Sequence, residues 1–172
     1  NFLKENLKEQ NENVMIVDLV RNDLSKIALD GSVKVDELYG VYAFENVFHM
    51  ISTISCKVDK ELQLSDVIKA TFPMGSMTGA PKVKAMSLIE KYESFKRGIY
   101  SGTIGYINPE GDFDMNVVIR SLVYNSEKKY LSYAVGGAIT RMSDPQKELE
   151  ECRLKATSME AVMHTYAAKF SK

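Results

Sequence analysis

Residues 98–138, GIYSGTIGYINPEGDFDMNVVIRSLVYNSEKKYLSYAVGGA, contain three extended segments separated by two turns. β-Branched and aromatic residues are frequent in 98–107, 112–124 and 129–138, which is typical of β-strands. The tetrapeptides NPEG and NSEK between them favour tight turns, because Asn, Pro and Gly readily adopt turn dihedral angles. Strands joined by such short turns pair antiparallel, so this stretch predicts an antiparallel meander.

Helices are predicted on both sides of this meander. Apolar residues recur at near-helical spacing in 2–28 and again in 145–166. The other predicted elements are a loop with short extended pieces to residue 40, a strand at 46–58, a helix at 64–71 and a helix from the loop at 73–81 to residue 93. Helices that flank an antiparallel meander indicate an α+β fold.

The composition of the 172 residues is that of an ordinary globular protein, with 45% hydrophobic and 26% charged residues. A formal net charge of −1 gives no reason to expect a nucleic-acid or membrane partner. The sequence has no apolar run long enough to span a bilayer. Two cysteines without a CxxC motif argue against a disulfide framework or a zinc site, and they favour a reducing, cytoplasmic location.

Two Glu-x-x-Glu motifs lie on predicted helices, Glu9 with Glu12 and Glu148 with Glu151. Residues three apart are neighbours on a helix, so each pair could offer two carboxylates to a hard divalent cation such as Mg²⁺. The alternative is that all four are solvated surface glutamates, with Glu151 and Lys155 forming an ordinary i,i+4 ion pair. Glu12 favours the metal hypothesis, because apolar residues continue its side of the helix and a buried carboxylate needs a partner.

Three features of the predicted strands could also carry chemistry. Strand alternation would place Arg120 between Val118 and Leu122, where it could bind a carboxylate ligand or form a buried ion pair. His49 could be a hydrogen-bonded structural residue or a catalytic one. The paired glycines of YAVGGAI, residues 133–139, indicate either a bulge or the close approach of a ligand to the backbone.

The loop PMGSMTGAPKVKAM, residues 73–86, places small residues before a helix, an arrangement typical of anion binding by backbone N–H groups. Its spacing, Gly75-x₃-Gly79-x₂-Lys82, differs from the phosphate-loop pattern G-x₄-G-K-[ST]. A nucleotide phosphate is therefore not the expected anion. A tight entry into the helix is the alternative to an anion site.

Six ordered blocks resemble the signature blocks of the chorismate-utilising enzymes, which include anthranilate, aminodeoxychorismate, isochorismate and salicylate synthases. The blocks are, in chain order, ENVMIVDLVRNDLSKIA, VFHMISTI, FPMGSMTGAPKVKAM, GIYSGTIGYI, FDMNVVIRSL, and AVGGAI followed by DPQKELEECRLKA. They span essentially the whole chain. The resemblance implies an α+β fold of two antiparallel sheets packed face to face with flanking helices, and the conversion of chorismate with Mg²⁺.

The resemblance also implies which residues bind the metal ion. Glu12 and Glu151 match direct Mg²⁺ ligands, and Glu9 and Glu148 match residues that support them, partly through water. The cation would hold the ring carboxylate of chorismate. The carboxylates of Glu12 and Glu151 are therefore expected to converge.

The remaining matches concern the substrate. Tyr100 and Arg120 resemble residues that hold the enolpyruvyl carboxylate, with the backbone N–H of Gly137 and the positive charge of Lys155 close by. The other two matches surround the ring: Ser76 at its carboxylate, and His49, in the catalytic role, near the departing C4 oxygen. The anion of the glycine-containing loop would then be a carboxylate, and His49, Ser76, Tyr100, Arg120 and Gly137 are expected to line one pocket.

Within the family, the segment GSMTGAPK is more similar to the aminodeoxychorismate synthases than to the anthranilate synthases. That likeness implies amination of chorismate at C4, for p-aminobenzoate and folate synthesis, with ammonia from a separate glutamine amidotransferase subunit. The alternative is anthranilate synthase component I, which aminates C2 and then eliminates pyruvate.

The family pattern also places a Pro-[Ile/Met]-Lys-Gly-Thr block and a general-acid glutamate before the first helix. The resemblance therefore implies that residues 1–172 are the C-terminal two-thirds of one chorismate-binding catalytic domain. A non-catalytic, ligand-binding remnant is the alternative from another functional class. Coding sequence upstream of Asn1 would distinguish the two.

Overall fold

The computed structural model describes residues 5–44 and 48–166, and the backbone of the last helix to residue 170. The chain divides into two compact units, Asn1–Ser94 and Phe95–Lys172. The described residues form helices and three two-stranded antiparallel sheets, which confirms the α+β class. No helix in these ranges is both long and apolar enough to cross a membrane.

The first unit is built around helix α1, Leu7–Ser25. The helix begins after Asn6, whose side chain accepts the backbone N–H groups of Lys8 and Glu9. This cap satisfies donors that the first helical turn leaves unpaired. The predicted helix at 2–28 is confirmed over this range, and residues 1–4 lie outside the described residues.

A hairpin of β1 (Lys34–Ala43) and β2 (Phe48–Ser55) follows α1. The two strands pair antiparallel, with register shifts on either side of Glu37 and a left-handed φ of 58° at Tyr39. Strand β2 confirms the core of the segment predicted at 46–58. Strand β1 was predicted only as a loop with short extended pieces, because its irregular register abolishes strict apolar alternation.

Helix α2, Leu64–Thr71, has the predicted bounds. One 3₁₀ turn, Gly75–Met77, and helix α3, Lys82–Tyr92, complete the first unit. Among the described residues of the unit, the buried apolar ones are Val17, Leu19 and Ala70. Two of these three belong to α1.

The second unit contains two short hairpins and helix α4. Strand β3 (Thr103–Ile107) pairs with β4 (Phe113–Val117), and β5 (Val123–Asn125) pairs with β6 (Tyr130–Ser132). Both predicted turns are present, the first with the backbone N–H of Asp112 bound to Asn108 Oδ1 at 2.8 Å. Helix α4, Pro145–Phe170, confirms the predicted last helix, and its Ala156 and Met159 are buried.

The three predicted long strands are shorter in the structure. In the segment 112–124 the strand β4 ends at Val117, and in the segment 129–138 the strand β6 ends at Ser132. Strand β3 begins at Thr103 because the preceding residues form turns, with backbone bonds from Tyr100 to Arg97 and from Gly102 to Ile99. Turns inside β-favouring sequence are the reason that composition overestimated strand length.

Candidate active site

The first turns of α4 carry the acidic and basic side chains predicted for the second unit. Asp144 caps the helix, because its Oδ1 accepts two backbone N–H groups of the first turn, each at 3.0 Å. Glu148, Glu151 and Lys155 follow at spacings of three and four, which places them on one side of the helix. The cap therefore fixes where α4 begins, and the spacing places these three side chains together on one side of it.

Gly136 and Gly137 bring backbone against this side of α4. Lys155 Nζ donates to the Gly136 carbonyl oxygen at 3.2 Å and to Glu151 Oε1 at 2.6 Å. A Cβ on Gly137 would lie 3.2 Å from Glu148 Oε2, and Glu148 is only 5% exposed. The ordinary i,i+4 ion pair between Glu151 and Lys155 is therefore present, with a backbone contact added to it.

Tyr100 reaches the glycine pair from the turn before β3. A Cβ on Gly136 would lie 3.0 Å from the Tyr100 hydroxyl oxygen. The Arg97 guanidinium lies 6.0 Å from the centroid of the Tyr100 ring and donates to Ser101 Oγ at 3.1 Å. Ser101 is buried in a left-handed conformation, and its N–H donates to the Val118 carbonyl at 2.9 Å. The sequence did not single out Arg97 or Ser101, because polar residues in an irregular turn carry no periodic signal.

Arg120 does not lie on a strand, so the predicted placement between Val118 and Leu122 on a strand face, and with it a buried ion pair, is wrong. Strand β4 ends at Val117, and Val118 is the last residue bonded to the chain before β3, its N–H donating to the Gly102 carbonyl at 2.9 Å. Arg120 then adopts a left-handed φ of 49°, and it is exposed. A left-handed residue reverses the chain locally, so the alternation that placed Arg120 among apolar neighbours no longer applies.

In the first unit, Glu9 and Glu12 lie near the start of α1. Glu12 has a side chain that is 25% exposed, and its Oε1 is buried, 3.7 Å from Lys8 Nζ. Glu9 is partly buried. The expectation that Glu12 lies at the edge of an apolar surface is confirmed, since Ile16 is partly buried and Leu19 is buried along the same helix.

His49 lies on β2 opposite Tyr42, and it is partly buried. Its imidazole makes an edge contact with Phe44, with ring centroids 5.5 Å apart and an interplanar angle of 65°. Strand alternation would place Val47 on the same face as His49, and Val47 lies outside the described residues. Farther along β2, Ser52 Oγ donates to Asn13 Oδ1 of α1 at 2.6 Å, so the histidine strand is fixed to the helix that carries Glu12.

Ser76 is exposed in the 3₁₀ turn, and Gly75 next to it is buried against α1. At the far end of the loop, Lys82 donates to Asp23, whose side chain is 4% exposed. Sequence reasoning missed this pair. A lysine at the first position of a helix and an aspartate within a polar run both resemble ordinary surface charges until the fold joins them.

The structure thus brings together five of the predicted residues in the second unit: Tyr100, Gly137, Glu148, Glu151 and Lys155. The predicted residues of the first unit are Glu9, Glu12, His49 and Ser76. The convergence of Glu12 with Glu151 and the common pocket involve both units, and they stay predictions.

The carboxylate pairs have the chemistry that a magnesium ion requires, because Mg²⁺ prefers oxygen ligands. Within either unit, the described residues contain no group of three His, Cys, Asp or Glu side chains suited to a metal ion. Glu148 and Glu151 therefore fit part of a ligand set and not a complete one.

The chain is similar to a family model, to curated proteins and to solved structures of chorismate-utilising enzymes. A family model described as chorismate binding enzyme matches residues 1–161. "Probable aminodeoxychorismate synthase, chloroplastic" of Oryza sativa subsp. japonica is 46% identical over 154 residues, covering 90% of this chain and 17% of that protein. Aminodeoxychorismate synthase component 1 of Salmonella typhimurium is 41% identical over 149 residues, covering 87% of this chain and 32% of that protein.

Among solved structures, anthranilate synthase component I of Streptococcus pneumoniae TIGR4 superposes with a TM-score of 0.77 and 37% identity. The match covers 92% of this chain and 36% of that structure. The chain therefore spans about a third or less of the length of the proteins that it resembles.

Proposed function

The chain belongs to the family of chorismate binding enzymes, and we propose that the protein containing it is an aminodeoxychorismate synthase component I. In this reaction ammonia replaces the C4 hydroxyl group of chorismate, which leaves as water, and the product is 4-amino-4-deoxychorismate. The observation that carries the proposal is the meeting of the Tyr100 hydroxyl, the Lys155 ammonium and the glycine-pair backbone. These groups suit a substrate with a carboxylate, because all of them can donate hydrogen bonds to it.

The enolpyruvyl carboxylate is held by donors of the second unit in this proposal. Tyr100 provides a phenol, Gly137 a backbone N–H and Lys155 a cation. The Lys155 charge is shared with Glu151 at 2.6 Å, so it orients the substrate more than it neutralises it. Arg120 adds an exposed guanidinium, which can close onto a carboxylate with two parallel bonds.

The ring of chorismate is assigned to residues of the first unit. Ser76 is exposed in its turn, and it offers a hydroxyl group to the ring carboxylate. His49 is partly buried against Phe44, which restricts the orientation of its imidazole. In the proposed mechanism this imidazole lies against the ring and assists departure of the C4 oxygen by donating a hydrogen bond or a proton to it.

Magnesium is the proposed cofactor. Glu12 and Glu151 would be its direct protein ligands, and Glu9 and Glu148 would support it, partly through water. The bound ion supplies positive charge that stabilises the ring carboxylate of chorismate. Burial of Glu148 and of Glu12 Oε1 supports this assignment, because carboxylates withdrawn from water are stabilised by a cation.

The proposal also covers the parent protein, its partner subunit and its compartment. Residues 1–172 would be the C-terminal two-thirds of one catalytic domain, with the remaining sheet and the upstream lysine block in the parent protein. A glutamine amidotransferase subunit would supply the ammonia, and the designation component 1 of the Salmonella relative supports such a partner. The unbridged Cys56 and Cys152 suit a reducing compartment, for which we propose the cytoplasm.

Product analysis tests the function. The full-length protein is incubated with chorismate, Mg²⁺ and ammonium, and the products are separated by liquid chromatography with mass detection. The expected product retains the enolpyruvyl group and has an amino group in place of one hydroxyl. Release of pyruvate with fluorescent anthranilate would instead establish the second candidate, which the 37% identity with an anthranilate synthase component I favours. If no chorismate were consumed, the alternative of a non-catalytic, ligand-binding remnant would be supported.

A further inference from the structure

Asp23 is a buried carboxylate at the C-terminal end of α1, and it is 3% exposed. Lys26 Nζ donates to its Oδ1 at 2.9 Å, and Lys82 Nζ donates to its Oδ2. A buried carboxylate is strongly destabilising unless it is paired and hydrogen-bonded. The two ammonium groups therefore keep this carboxylate in place.

The two lysines occupy different positions relative to Asp23. Lys26 comes from the same helix end, three residues on, and its side chain is 49% exposed. Lys82 comes from the first residue of α3, 59 residues later, and its side chain is 14% exposed. Of these two lysines, Lys82 connects Asp23 to the end of the glycine-containing loop at 73–81, whereas Lys26 also donates to the Ala70 carbonyl of α2 at 3.4 Å.

The loop makes a second close contact with α1 at its other end. A Cβ on Gly75 would lie 2.9 Å from the Cβ of Leu19, so only glycine allows this approach. Leu19 is one helical turn before Asp23, and both residues are buried. The loop is thus fixed to successive turns of one helix, at Gly75 and at Lys82, and the exposed Ser76 is presented beside the first of these contacts.

We propose that Asp23 and Lys82 are positioning residues that hold the loop carrying Ser76 in its binding conformation. Lys82 would not be an anion ligand itself, because its ammonium is buried against Asp23. This inference rests on the proposed function in one respect, namely the contact of Ser76 with chorismate. The matched pair of lysines on one carboxylate makes it testable, because Lys26 has the same partner without the connection to the loop.

Hydrogen exchange of the full-length protein without substrate tests the positioning role. In Lys82→Met, backbone exchange of residues 74–80 should accelerate about tenfold, while exchange in the second unit is unchanged. Lys26→Met should leave loop exchange within about twofold of the wild-type rate, since Lys82 still pairs with Asp23. Unchanged loop exchange in Lys82→Met, or a uniform acceleration throughout the first unit, would overturn the proposal.

Kinetics separate this proposal from the proposed function. If both hold, Lys82→Met raises the chorismate KM about tenfold with kcat within about twofold, and Lys82→Arg, which keeps a cation, recovers much of the loss. Faster loop exchange with an unchanged KM would support the positioning role and reject the Ser76 contact. If Lys82→Met does not fold, Lys82→Gln retains a donor to Asp23, and it should show the same local exchange pattern to a smaller degree.

Discussion

At the scale of the residue, Gly136 is important for the side chain that it lacks. A Cβ there would lie 3.0 Å from the Tyr100 hydroxyl oxygen, which is closer than Cβ atoms usually approach oxygen. Gly136→Ala should therefore push the phenol away from its place beside the glycine pair. We expect the chorismate KM of the full-length enzyme to rise about tenfold, corresponding to the loss of ~1.4 kcal/mol from one hydrogen bond to a carboxylate.

The control for this prediction is Tyr100→Phe, which removes the hydroxyl group and keeps the ring. The double variant should be no worse than Tyr100→Phe alone, since no hydroxyl oxygen remains to be displaced. Steady-state kinetics on the three variants measure this coupling. Losses that simply add would show that Gly136 affects binding by another route.

Arg120 permits a different test, because its backbone conformation affects stability and its side chain is proposed to affect substrate binding. Its left-handed φ of 49° is unfavourable for any residue except glycine. Arg120→Gly should leave the free energy of unfolding equal to that of the wild type or up to about 1 kcal/mol higher. Both Arg120→Gly and Arg120→Ala should raise the chorismate KM by a similar factor, because both lose the guanidinium.

Thermal denaturation and kinetics on these two variants separate the contributions. Arg120→Ala, which keeps the backbone strain, should be the less stable of the two. A wild-type KM in both variants would remove Arg120 from the substrate site.

At the scale of the element, the segment before the glycine pair is attached to α4 by a second side chain. The Tyr133 hydroxyl donates to Glu160 Oε1 at 2.6 Å, and this bond raises the pKa of the Tyr133 phenol above its usual value near 10. The raised pKa means that this contribution to stability is fully present below the ordinary pKa and is lost as the pH rises through the folded one. The Tyr42 phenol, which is bonded to Glu37, also has a raised pKa, so near-ultraviolet titration should show Tyr133 and Tyr42 ionising late.

Glu160→Gln is the diagnostic change for this contact. It replaces the carboxylate by a neutral amide, so the late ionisation should move back toward the usual pKa of tyrosine. Tyr133→Phe identifies the transition, because that variant lacks it altogether. The late ionisation of Tyr42 should remain in Tyr133→Phe, so a late ionisation of undiminished amplitude in that variant would contradict the assignment to Tyr133.

The elements also show where sequence patterns are informative. Helix α2 was predicted with its observed bounds, and Pro145 was predicted as the start of α4, since periodicity and helix-start signals agree there. Strand β1 and the ends of β4 and β6 were not predicted well. Their lengths depend on left-handed residues such as Tyr39 and Arg120, which are set by tertiary contacts that no local pattern reveals.

At the scale of the whole molecule, the proposed metal site predicts how activity depends on magnesium. Glu151→Gln should raise the Mg²⁺ concentration for half-maximal activity by about 10-fold to 100-fold, because an amide is a weaker ligand than a carboxylate. Glu150→Gln is the matched control, since Glu150 is exposed next to Glu151 on the same helix. Equal Mg²⁺ requirements in the two variants, measured by titrating the ion into metal-depleted enzyme, would argue against Glu151 as a ligand.

In the candidate site too, local patterns and motifs identified some residues, and features that depend on distant segments were not predicted. Motif resemblance identified Tyr100, Gly137 and Lys155, and the structure shows them around one glycine pair. Residue patterns alone identified Glu148 and Glu151 as neighbours on a helix. The burial of Asp23 and the exposure of Arg120 could not be predicted, because each depends on how distant segments meet.

The close approach of Tyr100 to Gly136 also constrains how this sequence can evolve. An alanine at 136 conflicts with the hydroxyl group of Tyr100 and not with its ring, so the same substitution is unfavourable beside tyrosine and tolerable beside phenylalanine. Once the hydroxyl group has been lost, alanine at 136 should bring no further loss of binding, because no oxygen remains for its Cβ to meet. Descendants that keep tyrosine at position 100 are expected to keep glycine at 136, so the two positions should be inherited as a pair.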